Sequence, residues 1–351
     1  MFAEKLINWY SENRRQLPWR DTDNPYYIWL SEIILQQTRI EQGRTYYEHF
    51  VTTYPTIRHL AEASEQQVLK SWQGLGYYSR ARNLHAAARH IEFDLGGSFP
   101  KTYEGILSLK GVGRYTAAAI ASFAFNLPYP VIDGNVYRLM SRYYGIYTPI
   151  GTNQAYKEFE QLLLNLIDKE HPGIFNQAMM DFGSTYCKLN GCDCANCIFR
   201  QECYAHAHGV VEQLPVRPQP VQIKERYFYY FDVRWDTPVP TILMQQRESG
   251  DIWQGLYELP LYESPKPIAS SRLRAKLQKV LQEWFGVVPS SIEITATFTH
   301  QLTHRTIKAQ FVRAKFPSRP LQIPRKMRSV SLSDMKTLPI SRLIDRYLSQ
   351  L

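Results

Sequence analysis

Three features are scarce in this sequence of 351 residues: long apolar runs, cysteines, and acidic residues in its last third. The longest uncharged apolar run, at residues 120–131, is much shorter than the ~20 residues that a membrane-spanning helix needs. Residues 1–20 mix charged and apolar side chains, so they lack both the apolar segment and the cleavage site of a signal peptide. We therefore expect a cytoplasmic protein that has no membrane partner.

All five cysteines lie at residues 187–203. Four of them keep the spacing C-x6-C-x2-C-x5-C, at Cys187, Cys194, Cys197 and Cys203. Cytosolic proteins rarely use structural disulfides, so this cluster indicates a metal or iron-sulfur site. Four thiolates suit a zinc ion or an iron-sulfur cluster, and spacing alone does not decide between the two. Cys192 is interpreted as a free thiol beside the site.

The scarcity of acidic residues is confined to the C-terminal part of the chain. Residues 1–208 carry 20 basic and 20 acidic residues, whereas residues 209–351 carry 21 and 12, which accounts for the net charge of +9. Residues 294–333 contain no Asp or Glu but eight Lys or Arg. Such a stretch is either a solvated basic surface or a contact surface for a polyanion.

The character of the chain changes at a proline-rich segment. Residues 1–208 place apolar residues at the three- and four-residue spacings of amphipathic helices, and nothing there alternates like a strand. Three prolines favour an extended connector at residues 209–226. An all-α domain at residues 1–208 and an α+β domain at residues 227–351 are therefore predicted. The second domain has β-prone runs at 227–235, 241–246, 292–298 and 306–315, and helical patterns at 271–285 and 340–351.

Two glycines punctuate the segment LKGVGRYT at residues 109–116, between two apolar helical stretches. Because Gly111 and Gly113 have no side chains, the backbone N–H groups of this turn can approach a phosphate closely at a helix N-terminus. An ordinary helix-capping turn has the same pattern, and G-x-G alone does not separate the two interpretations.

Two carboxylates are candidate catalytic groups. Asp133, in VIDGNV at residues 131–136, is well placed to cap the helix that follows, and considered alone this is the simpler interpretation. Glu32 lies among apolar residues on a predicted helix. It is either a solvent-side residue of an amphipathic face or a partly buried acid with a raised pKa, and periodicity does not decide.

Taken in order, the motifs of residues 1–208 resemble those of the helix-hairpin-helix DNA glycosylases, and within them the adenine DNA glycosylases of the MutY type. These motifs are LPWR at 17–20, WLSEI at 29–33, LQQTR at 35–39, GLGYY at 74–78, the glycine turn, DGNV at 133–136, FNQA at 175–178 and the cysteine spacing. The resemblance implies an all-α helix-hairpin-helix glycosylase domain in which the four spaced cysteines hold a 4Fe-4S cluster rather than zinc.

The resemblance also implies roles for individual residues. Glu32 is expected to be the general acid that protonates adenine, and Asp133 the ionised partner that stabilises the sugar cation. Tyr115 and Asn135 are expected to position these groups. DNA contacts are expected at six residues, which are Gln37, Thr38, Leu75, Tyr77, Gly111 and Gly113.

One position separates the related enzymes. The endonuclease III type carries a lysine nucleophile where this chain has Tyr115, so the resemblance implies a monofunctional enzyme without strand cleavage. An endonuclease III-like glycosylase/lyase for oxidised pyrimidines is the alternative enzyme. A non-enzymatic mismatch-binding protein is the alternative class, but it needs no carboxylate pair such as Glu32 and Asp133.

Residues 227–351 resemble the MutT-like (Nudix) domain of the same family through WQGLYELP at residues 253–260. The helical stretch at 271–285 offers only Glu283 where a working Nudix hydrolase needs a glutamate-rich helix, so we expect this domain to have no Nudix hydrolase activity.

The family reads oxidised guanine with a Phe-Ser-His loop, and this chain has Leu302, Thr303 and His304 there. Thr303 and His304 are therefore expected to contact the damaged base. The acid-free stretch at residues 294–333 surrounds this loop in sequence, which favours phosphate contacts.

The expected partner is double-stranded DNA with A:8-oxoguanine or A:G mispairs, bound by a monomer.

Overall fold

The computed structural model describes residues 2–218, 223–238, 240–320 and 322–350. By its internal packing the chain divides into two compact units. The first comprises Met1–Glu62 with Asn83–Gln219, and the second comprises Ala63–Arg82 with Pro220–Leu351. The second unit thus includes a segment from within the predicted helical domain. The predicted domain boundaries stay a prediction, and residues 219–222 of the predicted connector lie outside the described residues.

Residues 2–208 form helices and turns, and every described strand follows residue 223. The helices are α1 (Phe2–Asn13), α2 (Pro25–Ile34), α3 (Ile40–Thr53), α4 (Ile57–Glu62), α5 (Glu65–Ser71), α6 (Ser79–Arg89), α7 (Tyr103–Leu107), α8 (Arg114–Phe125), α9 (Gly134–Tyr144), α10 (Asn153–Leu166), α11 (Pro172–Asp181) and α12 (Tyr204–Ala207). The segments His90–Asp94 and Phe182–Tyr186 continue α6 and α11 with the wider turn of a π-helix. The expectation of an all-α domain is confirmed.

Local sequence explains how α2 begins and where it packs. Asn24 accepts a hydrogen bond from the N–H of Tyr26, and Pro25 occupies the first turn, where its missing N–H leaves no helical hydrogen bond unmade. α2 packs against α8, whose buried alanines at residues 117–119 and 121 allow the two backbones to come close. At the start of α8, Tyr115 is hydrogen-bonded to Glu32 and Thr116 accepts a hydrogen bond from Gln36, so this end of α8 lies beside the C-terminal end of α2.

Among the described residues after 223, the second unit forms two sheets and three helices. The elements are β1 (Lys224–Trp235), β2 (Thr241–Gln246), β3 (Tyr257–Glu258), β4 (Leu261–Ser264), α13 (Ser270–Phe285), β5 (Ser291–Ile294), β6 (Phe298–Gln301), β7 (Arg305–Phe316), β8 (Met327–Ser331), α14 (Leu332–Met335) and α15 (Arg342–Leu348). The first sheet has the order β4-β1-β7-β5, and β6 also pairs with β7. β1 and β7 are parallel, whereas the other pairs are antiparallel. β2 lies between β3 and β8 in the second, antiparallel sheet.

β1 is buried on both faces, which explains its nearly continuous apolar and aromatic sequence. Phe228 and Tyr230 belong to a core that includes residues of α15. Tyr229, Phe231 and Val233 belong to a second core that includes residues of α13. Helices therefore cover both faces of the larger sheet, and the expected α+β class is confirmed.

The expectation of one continuous strand at residues 292–298 is wrong. Ile294 pairs with Val312 and Phe298 pairs with Ala309, so four steps along this segment face three steps along β7. The extra residue is a bulge that divides the segment into β5 and β6. The strands β3, β4 and β8 were not predicted, because two to five residues carry too little periodicity. In the part of the chain that the structure describes, no helix is long and apolar enough to cross a bilayer.

Candidate active site

A cavity of about 610 Å³ opens in the first unit. Its walls come from α2 and the loops on either side of it, the start of α8, the residues that precede and begin α9, and α11. This volume is typical of pockets that enclose a small ligand. All four residues that were predicted to be catalytic line it, and they are Glu32, Tyr115, Asp133 and Asn135.

Glu32 is buried in α2, with 7% of its surface exposed. Burial raises the pKa of Glu32 to about 7, whereas its hydrogen bond with Tyr115 and the charge of Arg20 act in the opposite direction. Near neutral pH this carboxyl group therefore holds a proton in a large fraction of molecules and can still release it. Of the two interpretations that the sequence left open, the buried acid is the correct one.

Asp133 caps α9, as its position in the sequence suggested. Its Oδ1 accepts hydrogen bonds from the N–H groups of Asn135 and Val136, both at 2.8 Å. Its Oδ2 accepts one from Nδ2 of Asn135 at 2.7 Å, and Nη2 of Arg138 donates to Oδ1 of Asn135 at 2.8 Å. Burial raises the pKa of Asp133, and these donors oppose that shift. Because the same carboxylate lines the cavity, capping and a catalytic role are compatible.

Tyr115 lies in the first turn of α8 and is hydrogen-bonded to Glu32. Burial and the nearby carboxylates of Glu32 and Asp133 raise the pKa of its phenol well above the ordinary value. The hydroxyl therefore stays protonated at neutral pH and is able to donate a hydrogen bond to Glu32.

A buried ion-pair network at the cavity was not predicted. Asp181, which is completely buried, accepts hydrogen bonds from Nε of Arg15 and Nη2 of Arg20, both at 2.8 Å. Both arginines line the cavity, and the charge of Arg20 lowers the pKa of Glu32. Arg20 belongs to the motif LPWR, but a pair separated by 161 residues leaves no local signal in the sequence.

Internal packing accounts for only one of the two glycines in the turn between α7 and α8. Gly111 has φ of +82°, and a Cβ there would lie 2.6 Å from the Cβ of Asn83. Gly113 precedes α8 with φ of −97°, and a Cβ there would meet no atom within 4 Å. Internal packing thus explains the glycine at 111 but not the one at 113. An open backbone at a helix N-terminus suits the close approach of a phosphate oxygen.

Gln37 and Thr38 also line the cavity, in the loop between α2 and α3. Gln37 is exposed and has φ of +55°, a conformation that is uncommon outside glycine and concentrates at functional sites. The N–H of Thr38 donates to the carbonyl of Leu35 at 3.1 Å, which holds this loop against the end of α2.

The remaining predicted DNA contacts lie in the second unit. Tyr77 has φ of +47°, exposes 48% of its surface and hydrogen-bonds through its hydroxyl to that of Thr303. Thr303 and His304 are exposed in the turn between β6 and β7. Leu302 is half-buried against the core of this unit. Leu75 is buried, so its side chain does not lie on the surface.

The five cysteines line a second, small cavity of about 30 Å³ in the first unit. Nη1 of Arg142 lies 3.4 Å from Sγ of Cys187 and 3.7 Å from Sγ of Cys192. The N–H of Phe199 donates to Sγ of Cys197 at 3.4 Å. Sulfur ligands and N–H donors to them suit a thiolate-bound metal centre. Among the described residues no group of three or more side chains is arranged to hold a metal ion, so the fit rests on the donor chemistry.

Known proteins resemble the chain in both units. The family described as HhH-GPD superfamily base excision DNA repair protein matches residues 30–168, and a NUDIX domain matches residues 237–350. The adenine DNA glycosylase of Buchnera aphidicola subsp. Baizongia pistaciae (strain Bp) is 32% identical over 314 residues, which are 88% of this chain and 84% of the relative. That of Buchnera aphidicola subsp. Acyrthosiphon pisum (strain APS) is 31% identical over 265 residues, 75% of each chain. The chain belongs to the adenine DNA glycosylase family.

Membership of the adenine DNA glycosylase family makes this chain a base-excision repair glycosylase and does not favour the endonuclease III-like alternative. The structure of a thermostable thymine-DNA glycosylase matches with a TM-score of 0.55 at 28% identity, covering 59% of this chain and 95% of that one. Endonuclease III in a trapped covalent intermediate with DNA matches with a TM-score of 0.52 at 21% identity, covering 59% and 94%. The second likeness concerns the fold alone.

Proposed function

We propose that this adenine DNA glycosylase hydrolyses the N-glycosidic bond of adenine opposite 8-oxoguanine or guanine in double-stranded DNA, without cutting the strand. The observation that carries this proposal is the buried Glu32, whose pKa of about 7 makes it a proton donor inside a cavity shared with Asp133. The family relationship supports adenine as the base that is released.

The target adenine must leave the duplex before Glu32 can reach it. Enzymes that act on a base extrude it from the stack into a pocket, at a cost of a few kcal/mol. The cavity of about 610 Å³ is able to receive such a base. The exposed Gln37, whose backbone is held at positive φ beside the cavity, is suited to fill the space that the base leaves.

Glu32 then donates its proton to the base, which makes adenine a better leaving group. Tyr115 donates a hydrogen bond that orients the carboxyl group, and the resulting carboxylate is able to activate water in the next step. Asp133, held by Asn135 and the N–H groups of α9, provides the negative charge that stabilises the oxocarbenium-like sugar. Two carboxylates in different surroundings thus take different roles.

We further propose that Cys187, Cys194, Cys197 and Cys203 hold a 4Fe-4S cluster, which would anchor the segment between the π-helical turn at residues 182–186 and α12. Crowding of thiols in one small cavity and the N–H donor at Cys197 support this assignment.

Thr303 and His304 are proposed to contact the base opposite adenine. Their exposure at a turn tip and the hydrogen bond between the hydroxyls of Tyr77 and Thr303 support this role. Not every basic residue of the acid-free stretch 294–333 lies near this turn. Arg313 and Lys315 lie toward the other end of β7, where they pair with Glu293 and Asp236.

The test is a single-turnover excision assay with duplexes that contain A opposite 8-oxoguanine, A opposite guanine, or an oxidised pyrimidine. We expect adenine release from the first two duplexes and an abasic strand that stays uncut until alkali is added. Release of oxidised pyrimidines together with strand cleavage would instead support the endonuclease III-like activity.

A further inference from the structure

One carboxylate of the second unit accepts hydrogen bonds from three arginines. Asp251, in the loop between β2 and β3, accepts hydrogen bonds from Arg226 at 2.6 Å on each oxygen, from Arg247 at 2.5 Å and from Arg305 at 3.1 Å. The N–H of Ile252 adds another at 2.7 Å. Burial opposes ionisation, but the hydrogen bonds of Arg226 and Ile252 and the charges of Arg226 and Arg247 hold the pKa of Asp251 well below its ordinary range.

The three arginines come from three separate segments. Arg226 belongs to β1, Arg247 directly follows β2, and Arg305 is the first residue of β7. Arg247 is nearly buried and also donates to both carboxylate oxygens of Glu258, at 3.1 and 3.0 Å, which immobilises it. Asp251 therefore joins the residue that follows the β6–β7 turn to a fixed part of the core.

The loop that carries Asp251 also touches the strand that precedes the turn. The ring of Trp253 meets the ring of His300 edge-on, with 5.6 Å between their centres, and His300 belongs to β6. The turn is closed by the N–H of Leu302, which donates to the carbonyl of Arg305 at 2.8 Å. Both strands of the hairpin are thus held from one side, and its tip is left exposed.

We propose that Asp251 is a positioning residue that fixes the β6–β7 turn through Arg305 and thereby sets the preference for 8-oxoguanine over guanine. This inference rests on the proposed function, in which Thr303 and His304 contact the opposite base. Hydrogen bonds weaken steeply when donor and acceptor shift by tenths of an ångström or tilt, so a loosened turn loses those contacts. The catalytic cavity belongs to the first unit and keeps its residues.

The test compares Asp251→Asn with Glu263→Gln in the full chain. Glu263 accepts hydrogen bonds from Arg226 at 2.7 and 2.6 Å, and it is the matched control because no hydrogen bond joins it to Arg305 among the described contacts. The Kd is measured for duplexes with a non-hydrolysable adenine analogue opposite 8-oxoguanine or guanine. We expect Asp251→Asn to lower the ratio of the two affinities about ten-fold and Glu263→Gln to keep it within about two-fold.

A merely structural role predicts a different result. If Asp251→Asn weakens both duplexes equally, or leaves the ratio unchanged, the inference is wrong. Arg305→Gln provides a second route should Asp251→Asn fold poorly, since Arg305 is half-exposed and its loss leaves the contacts of Arg226 and Arg247 in place. It should lower the ratio similarly, and the double variant should be no worse than either single one.

The double substitution Thr303→Ala with His304→Ala separates this inference from the proposed function. If this variant keeps the full preference, the proposed contact with the opposite base is wrong. If it loses the preference while Asp251→Asn and Arg305→Gln keep theirs, the contact stands and only the role of Asp251 is overturned.

Discussion

At the scale of single residues, the chemistry of the cavity depends on which carboxyl group holds a proton near neutral pH. Glu32 is buried in α2 and hydrogen-bonded to Tyr115, whereas Asp133 accepts three hydrogen bonds at the start of α9. Burial raises the pKa of both, but only Asp133 has several donors that stabilise its charged form. This difference supports the proposed division into a proton donor, Glu32, and an anion, Asp133.

This division predicts the pH dependence of excision. The raised pKa of Glu32 means that its protonated, donating form is present below pH about 7 and is lost as the pH rises through that value. The single-turnover rate constant at saturating enzyme should therefore fall about ten-fold per pH unit above pH about 7. A rate constant that stays level between pH 6 and pH 9, in the range where the duplex is stable, argues against a proton from Glu32.

At the scale of secondary-structure elements, the hairpin of α7 and α8 offers a matched pair of substitutions. Gly111→Ala should lower the thermal midpoint of unfolding, because φ of +82° and the nearby Asn83 leave no place for a methyl group. A Cβ at Gly113 would contact no atom of the protein, so Gly113→Ala should leave that midpoint nearly unchanged. If a phosphate approaches Gly113, however, the added methyl group should weaken duplex binding several-fold, about 1 kcal/mol.

Thermal unfolding and a salt-controlled binding titration measure both effects. Unchanged affinity of a normally folded Gly113→Ala variant would show that the hairpin does not contact DNA at this residue.

Elements with a local signal in the sequence were predictable. Apolar residues at helical spacing predicted that residues 2–208 are helical, and the β-prone runs matched β1, β2 and β7. Both signals come from residues that are neighbours in sequence, so they can be found without the fold. The bulge between β5 and β6 was not predictable, since it depends on the register against β7. For the same reason the sequence did not reveal that Ala63–Arg82 belongs to the second unit.

The candidate site shows the same limit. Glu32, Tyr115, Asp133 and Asn135 were found through motifs, and the fold brings them to one cavity. The pairing of Asp181 with Arg15 and Arg20, and of Asp251 with Arg226 and Arg305, joins residues from separate segments. Only the folded chain reveals such pairs.

At the scale of the whole molecule, the cysteine assignment predicts how the purified protein looks and folds. The protein should be brown and carry about four irons per chain. Cys197→Ser should give poorly soluble protein with less iron, because its sulfur is one of the four proposed ligands. Cys192 lines the same small cavity but is not one of the four proposed ligands. The variant Cys192→Ser should therefore keep both its iron and its solubility.

Metal analysis of protein that is isolated without air checks this prediction. One zinc per chain in place of iron, or equal loss of metal in the two variants, would contradict the assignment of the ligands.

The central claim is that this chain releases adenine by proton donation from Glu32, and one comparison tests it most directly. Adenine release from a duplex with A opposite 8-oxoguanine is measured under single-turnover conditions for the wild type, Glu32→Gln and the exposed control Glu41→Gln. We predict that Glu32→Gln binds the duplex normally but releases adenine about 10²–10⁴-fold more slowly, whereas Glu41→Gln matches the wild type. Release by Glu32→Gln at a near-normal rate would contradict the account.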